Sequence, residues 1–132
     1  MQLEALCRRR REPIPLPLEK CENGILQSDW EPLLEMLLAD HMDTATRAEI
    51  FHSSLAHTIL MQARAIRDTS AMTQVGLCGG VFQNRVLTEH VMDLLQDDGF
   101  SVFLPARLPC NDAALCVGQA AELAARAAME PI

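Results

Sequence analysis

Between Gln74 and Leu104 the chain writes a strand, a pair of glycines, an amphipathic helix and a second strand, and that order leaves few folds open. Gln74-Val75-Gly76-Leu77-Cys78 is a short β-prone run, and Gly79-Gly80 interrupts it. Val86, Leu87, Val91, Leu94 and Leu95 then recur at helical spacing, and Gly99 stands where a left-handed residue ends a helix. Phe100 to Leu104 returns to strand character. A strand, a helix and a strand in this order make a βαβ unit on a parallel or mixed sheet. The expected class is α/β with flanking helices.

The flanks add to this unit. Pro13, Pro15 and Pro17 alternate with Ile14, Leu16 and Leu18, so Arg8 to Asn23 reads as an extended or edge-strand segment. Asn23-Gly24 reads as a turn, and Ile25-Leu26-Gln27 as a short return strand. A first helix is expected from Asp29, its cap, to Leu38 or Ala39, with Pro32 in its opening turn. A second is expected from Thr46 to about Arg67. Glu49 there completes a capping box, and Ala48, Phe51, Leu55, Ile59, Ala63 and Ile66 face inward. After the loop Pro105 to Pro109, a last alanine-rich helix runs from beyond Asn111 to about Ala128, where Gly118 and Ala121 allow a neighbour close. The chain thus divides into an extended segment with edge strands, 1–28, and an α/β part, 29–132.

Composition narrows the function. With 49% hydrophobic residues the 132-residue chain can bury a core, although aromatics make up only 4%. A formal charge of −7 repels phosphate backbones, so nucleic-acid binding is not expected; the one basic cluster, Arg8 to Arg11, reads as a solvated segment. No apolar run approaches the roughly 20 residues of a membrane span. Five cysteines without a C-x-x-C pair suggest reduced thiols in a soluble, cytoplasmic protein.

Two stretches can carry chemistry. In Leu77-Cys78-Gly79-Gly80-Val81-Phe82-Gln83-Asn84 the glycines let backbone approach a ligand, and free amides at the following helix start can meet phosphate oxygens. Asn84 offers a carboxamide to a ribose hydroxyl or a base edge. Alone, such a pair is more often a tight turn with no ligand, and neither a dinucleotide fingerprint nor a Walker A loop is present. In Pro109-Cys110-Asn111-Asp112 a carboxylate stands between strand and helix, where it can bind a metal ion or merely cap the helix. His41, His52, His57 and His90 form no metal motif; His52 and His57 lie about 140° apart on a helix, and all four read as surface or boundary residues. Cys78, at a strand end beside a helix start, has no base near it in sequence to make it a nucleophile.

Taken together, Gly79-Gly80-Val81-Phe82-Gln83-Asn84-Arg85, Gly99-Phe100, Pro109-x-Asn111-Asp112 and Gly118-Gln119-Ala120 resemble, in order and distance, the end of the hydrogenase-maturation carbamoyltransferases, the HypF family. Asp29-Trp30-x-Pro32-Leu33, Phe51-His52-x-x-Leu55-Ala56 and Met1 to Leu6 fit the same family. The resemblance implies part of an actin-like ATPase (ribonuclease H-like) domain. The family's enzymes make carbamoyl-adenylate from carbamoyl phosphate and ATP. They then pass the carbamoyl group to the C-terminal cysteine of HypE, toward the cyanide ligand of nickel–iron hydrogenase. Carried over, Gly79, Gly80, Gln83 and Asn84 would contact nucleotide and Asp112 a divalent metal or iron, with Glu4 matching a glutamate near the ribose. No residue here is assigned a catalytic role. The acylphosphatase-like domain, the zinc-binding cysteine repeats, the adenylate-forming domain and the paired metal histidines are absent from these 132 residues, so zinc is not expected. The family commonly has Ser at Cys78 and Gly at Ala113 and Ala114. The implied partners are a HypE-like acceptor and the remaining N-terminal part of HypF. The alternative is an inactive remnant that binds nucleotide or partner without turnover.

Overall fold

A computed structural model describes residues 2–129; Met1 and the last three residues of the predicted α/β part lie outside the described residues. Its order is α1 (Gln2–Leu6), β1 (Leu18–Lys20), β2 (Leu26–Ser28), α2 (Glu31–Leu38), α3 (Thr44–Ser70), β3 (Gln74–Gly76), α4 (Arg85–Asp97), β4 (Ser101–Phe103) and α5 (Leu115–Met129). β3 pairs with β4 in parallel, with Val75 opposite Val102, as the crossover through α4 requires. β1 and β2 form a separate antiparallel hairpin, closed at Asn23-Gly24 with Gly24 at φ 83°. The α/β class with small sheets and flanking helices is therefore what the chain adopts.

The core lies where α3 and α4 cross the β3–β4 pair. Ala56 and Leu60 from α3 meet Leu87, Val91 and Leu95 from α4, with Leu77 and Phe100 from the strand ends. α4 stops where the sequence says it should. Gly99 takes φ 87°, its N–H bonds to Gln96 O, and Phe100 N–H reaches back to Leu95 O. This is a Schellman motif, and its apolar pair, Leu95 and Phe100, is buried. Arg64 and Arg67 from α3 both grip the Asp98 carboxylate beside it, and Arg67 lies over the Phe100 ring at 4.4 Å.

Several local expectations need correction. α3 starts at Thr44, capped by Asp43, which accepts from Thr46 N–H at 2.7 Å. Glu49 makes no capping box. It is 4% exposed and accepts from the backbone N–H groups of Arg8 and Arg9 and from the Arg11 side chain. Ser53 and Ser54 accept from the N–H groups of Arg11 and Ile14. The backbone of the basic cluster is thus strapped across α3, which supplies acceptors for its N–H groups, while the Arg9 and Arg10 side chains stay solvated at 65% and 50% exposure. The buried face of α3 turns accordingly, to Ala48, His52, Ala56 and Leu60, and leaves Ile66 half-exposed. His52 and His90 are buried, not boundary residues. α1 was not foreseen in the N-terminal segment. α2 opens at Glu31 behind Trp30, with Asp29 Oδ1 accepting from Glu31 N–H. α3 ends on Ala71, which takes the left-handed conformation at φ 56°.

Candidate functional site

β3 delivers the chain to Leu77, whose N–H bonds to Phe103 O and whose side chain is buried. The glycine pair follows at the carboxyl end of the parallel strands, the edge where open α/β sheets hold ligands. Gly79 adopts φ 106°, a region that residues with a Cβ rarely enter, so the turn needs glycine. Its N–H donates to Cys110 O, which ties the loop after β3 to the loop after β4. A 3₁₀ turn, Gly80–Gln83, then precedes α4, where a direct helix was expected. The leading amides of such a turn have no partner within it. A second 3₁₀ turn, Asp112–Ala114, precedes α5, with Asn111 Oδ1 accepting from Ala113 N–H.

The two loops share one cavity of about 540 Å³, lined by Cys78, Gly79, Cys110, Asn111 and Asp112 on the loops and by Gln119 and Glu122 on α5. A Cβ built on Gly80 would meet Asn111 Cβ at 4.0 Å, which places Gly80 at the rim. Sequence reasoning quoted Cys110 and Gln119 only as parts of longer motifs, with no site role, and did not single out Glu122. The last two stand one helical turn apart on α5, and only the fold shows that this face looks at the glycine loop.

Gln83 is exposed and Asn84 is buried under the turn. The Asn84 carboxamide does two structural jobs: Oδ1 caps α4 by accepting from Leu87 N–H, and Nδ2 donates to His52 Nε2 at 2.8 Å. Because Oδ1 is an acceptor, the amide orientation is fixed and His52 Nε2 must accept. The ring proton therefore sits on Nδ1, 2.7 Å from Ala48 O and 3.4 Å from Cys7 Sγ. Burial and the nearby Glu49 and Glu4 carboxylates push the Cys7 thiol up, and His52 Nδ1 has no lone pair to take its proton. The cysteine, histidine and asparagine therefore form a packing network, not a nucleophile and its base.

Glu4 reaches the same turn from α1. Its carboxylate accepts from Arg85 N–H at 2.6 Å, a bond that holds its pKa below the usual carboxylate range. A second cleft, about 570 Å³, lies on that side between Glu4, His52, Val81 and Asn84. The larger cleft of about 720 Å³ between the hairpin and α3, lined by Lys20, Leu26, Gln62 and Ile66, includes no residue of the glycine loop.

A metal is a poor fit to this chain alone. Asp112 offers one exposed carboxylate, and among the described residues no group of three His, Cys, Asp or Glu side chains is placed to hold an ion. No helix among the described residues is long and apolar enough to cross a membrane.

Comparisons with known proteins show the family and the fold. Residues 1–119 match the family model described as "Carbamoyltransferase, Kae1-like Domain, second subdomain". The chain is 37% identical over 109 residues to the carbamoyltransferase HypF of Synechocystis sp., which covers 82% of this chain and 14% of that protein. It is 32% identical over 126 residues to HypF of Rhodobacter capsulatus, covering 96% and 16%. Among solved structures, the crystal structure of full-length HypF in the phosphate- and nucleotide-bound form superposes with a TM-score of 0.84 at 28% identity, over 90% of this chain and 16% of that one. The chain thus spans about a sixth or less of the length of each of these three proteins.

Proposed function

From a chain that belongs to the carbamoyltransferase family, as the second subdomain of its Kae1-like domain, we propose a contribution to carbamoyl transfer: one wall of the nucleotide site of a HypF-type enzyme. In this reading residues 1–28 lead into the α/β part, 29–132, of the transfer domain. The whole reaction moves a carbamoyl group from carbamoyl-adenylate, made with ATP, to the C-terminal cysteine of a HypE-like acceptor in the cytoplasm. The observation that carries the reading is the single cavity shared by Gly79 and Asp112, with their loops joined by the Gly79–Cys110 backbone bond.

The parts have distinct roles. Gly79 and Gly80 bring main chain close enough for the leading amides of the 3₁₀ turn to meet phosphate oxygens. Gln83, exposed on that turn, is free to reach a ribose or base. Asn84 holds the turn against α4 and His52, and so acts on the nucleotide through the shape of the loop. Asp112 would repel a phosphate across the cavity unless a cation stood between them, which is the arrangement a divalent metal or iron would complete. The other ligands would have to come from elsewhere in a longer protein. Such a cation supplies charge neutralisation when bound; this chain's own part is to orient and to exclude water.

Complementation tests the reading. This chain, mixed with a HypF lacking the corresponding region, is expected to restore ATP-dependent labelling of a HypE-type acceptor from labelled carbamoyl phosphate. Gly80→Val or Asp112→Ala is expected to abolish that labelling while leaving the chain folded by circular dichroism. The competing reading, a partner-binding remnant without turnover, draws on α5, which is exposed along its whole length. It predicts capture of the acceptor with no labelling.

A further inference from the structure

We propose that Cys78 and Cys110 form a reversible disulfide that closes the glycine-loop cavity, so that an oxidising thiol–disulfide couple shuts the site and a reducing one reopens it. The closure of a nucleotide site rests on the function proposed above; the bond itself rests on backbone placement. Gly79 N–H donates to Cys110 O at 2.5 Å. Cys78 Cα is one peptide unit from that donor and Cys110 Cα one carbonyl from that acceptor. Standard bond lengths and angles make each of these spans about 2.4 Å, so with the hydrogen bond between them the two Cα atoms lie within roughly 7.3 Å of each other. Bends along this path bring the separation toward the roughly 4.4–6.8 Å that disulfides adopt. Both residues line the same cavity.

Both thiols are free, Cys78 exposed and Cys110 half-buried. The other cysteines are placed differently. Cys7 is held between Leu3 O and His52, Cys21 donates to Gln27 Oε1, and neither they nor Cys116 lines this cavity.

The chemistry needs a disulfide oxidant such as oxidised glutathione. The Cys78 thiolate attacks one glutathione sulfur, breaking the S–S bond, and one glutathione thiol leaves with a proton from solvent. The Cys110 thiolate then attacks the Cys78 sulfur and expels the second glutathione. Two electrons pass from the protein thiols to one glutathione disulfide, and the two thiol protons replace those taken up. The joined sulfurs take up space beside Gly79 and Asn111 and tie the two loops together, which narrows the part of the cavity nearest the glycine pair, where a phosphate would sit.

The test is a titration of the reduced chain with oxidised glutathione, followed by alkylation, proteolysis and mass spectrometry. The expected result is a Cys78–Cys110 linked peptide pair, reversed by dithiothreitol. Cys116→Ser should form it as the parent does, whereas Cys110→Ser should stop at a glutathione adduct on Cys78. Adducts on Cys78 in the parent with no linked pair at any ratio would overturn the bond. Binding of a fluorescent ATP analogue is read on both forms, and oxidation is expected to weaken it by roughly tenfold or more. Equal binding by linked and reduced protein would overturn the closure. A linked pair in a chain whose reduced form binds no ATP supports the disulfide and counts instead against the nucleotide reading.

Discussion

α4 and α5 are both rich in aliphatic side chains, yet one buries them and the other does not. In α4, Leu87, Val91 and Leu95 are at most 2% exposed, whereas in α5 Leu115 and Leu123 are 65% and 71% exposed. The difference is not in local helix-forming ability. α5 is alanine-rich and carries an i,i+4 pair between Glu122 and Arg126, which suits an isolated helix. What α5 lacks among the described residues is a surface to cover. α4 has α3 on one side and the parallel strands on another, and its ends are fixed by Asn84 and by Gly99. The αβ core buries its own apolar side chains, whereas among the described residues the wall of the candidate site that α5 supplies is joined to it through the turn Asp112–Ala114.

That contrast can be broken at its strong side first. Leu95→Ala is expected to cost about 3–5 kcal/mol in urea unfolding, since the side chain is fully buried between α3 and Phe100. A cost below about 1 kcal/mol would mean that this region is not the core. Acid should act next. Burial, and then the nearby Arg10 and His57, lower the His90 pKa to about 4 from 6.5, against a raising effect of Asp93 and with His52 adding slightly to the lowering. The folded state therefore disfavours the protonated ring. Stability is full above pH 6.5 and falls as pH drops toward 4, by about 3 kcal/mol at most. Unfolding curves across pH 7 to 4 should show this, and His90→Asn should flatten it.

The strap comes third. Glu49→Ala removes the acceptor of three donors and is expected to cost about 2 kcal/mol, with faster hydrogen exchange at Arg8, Arg9 and Arg11 and little change in α4. The weak side comes last. Leu123→Ser should change the stability of this chain by less than about 0.5 kcal/mol, because among the described residues its side chain is 71% exposed. A larger loss would show that α5 is covered after all, by a second copy or by the rest of the chain, and the contrast would fail.

How far the sequence could be read follows the same division. Signals confined to one segment were legible: the βαβ order, the turn at Asn23-Gly24, and the end of α4 at Gly99 with Phe100 behind it. Signals that depend on distant partners were not. Glu49 carries the spacing of a capping box, but its donors lie some forty residues upstream and outcompete the local bond. His52 reads as a surface histidine until Asn84, 32 residues on, is seen to hold its ring. At the candidate site, the glycine loop and Asp112 were legible as separate motifs. That they share a cavity depends on the pairing of β3 with β4, which brings the two strand ends side by side. The facing of Gln119 and Glu122 depends on where α5 leaves its 3₁₀ turn, and no periodicity encodes that.

The exit from α3 holds a last consequence. After 27 residues of right-handed coil the chain reverses its handedness at Ala71, a residue whose methyl group resists that shape by about 1 kcal/mol, and a glycine there would not. β3 begins three residues later, at Gln74, so the chain turns from helix to strand in a short corner. A natural chain that keeps such a methyl where hydrogen would serve better is one whose thermal endurance has been left below its ceiling, as selection for adequacy rather than for maximum would leave it.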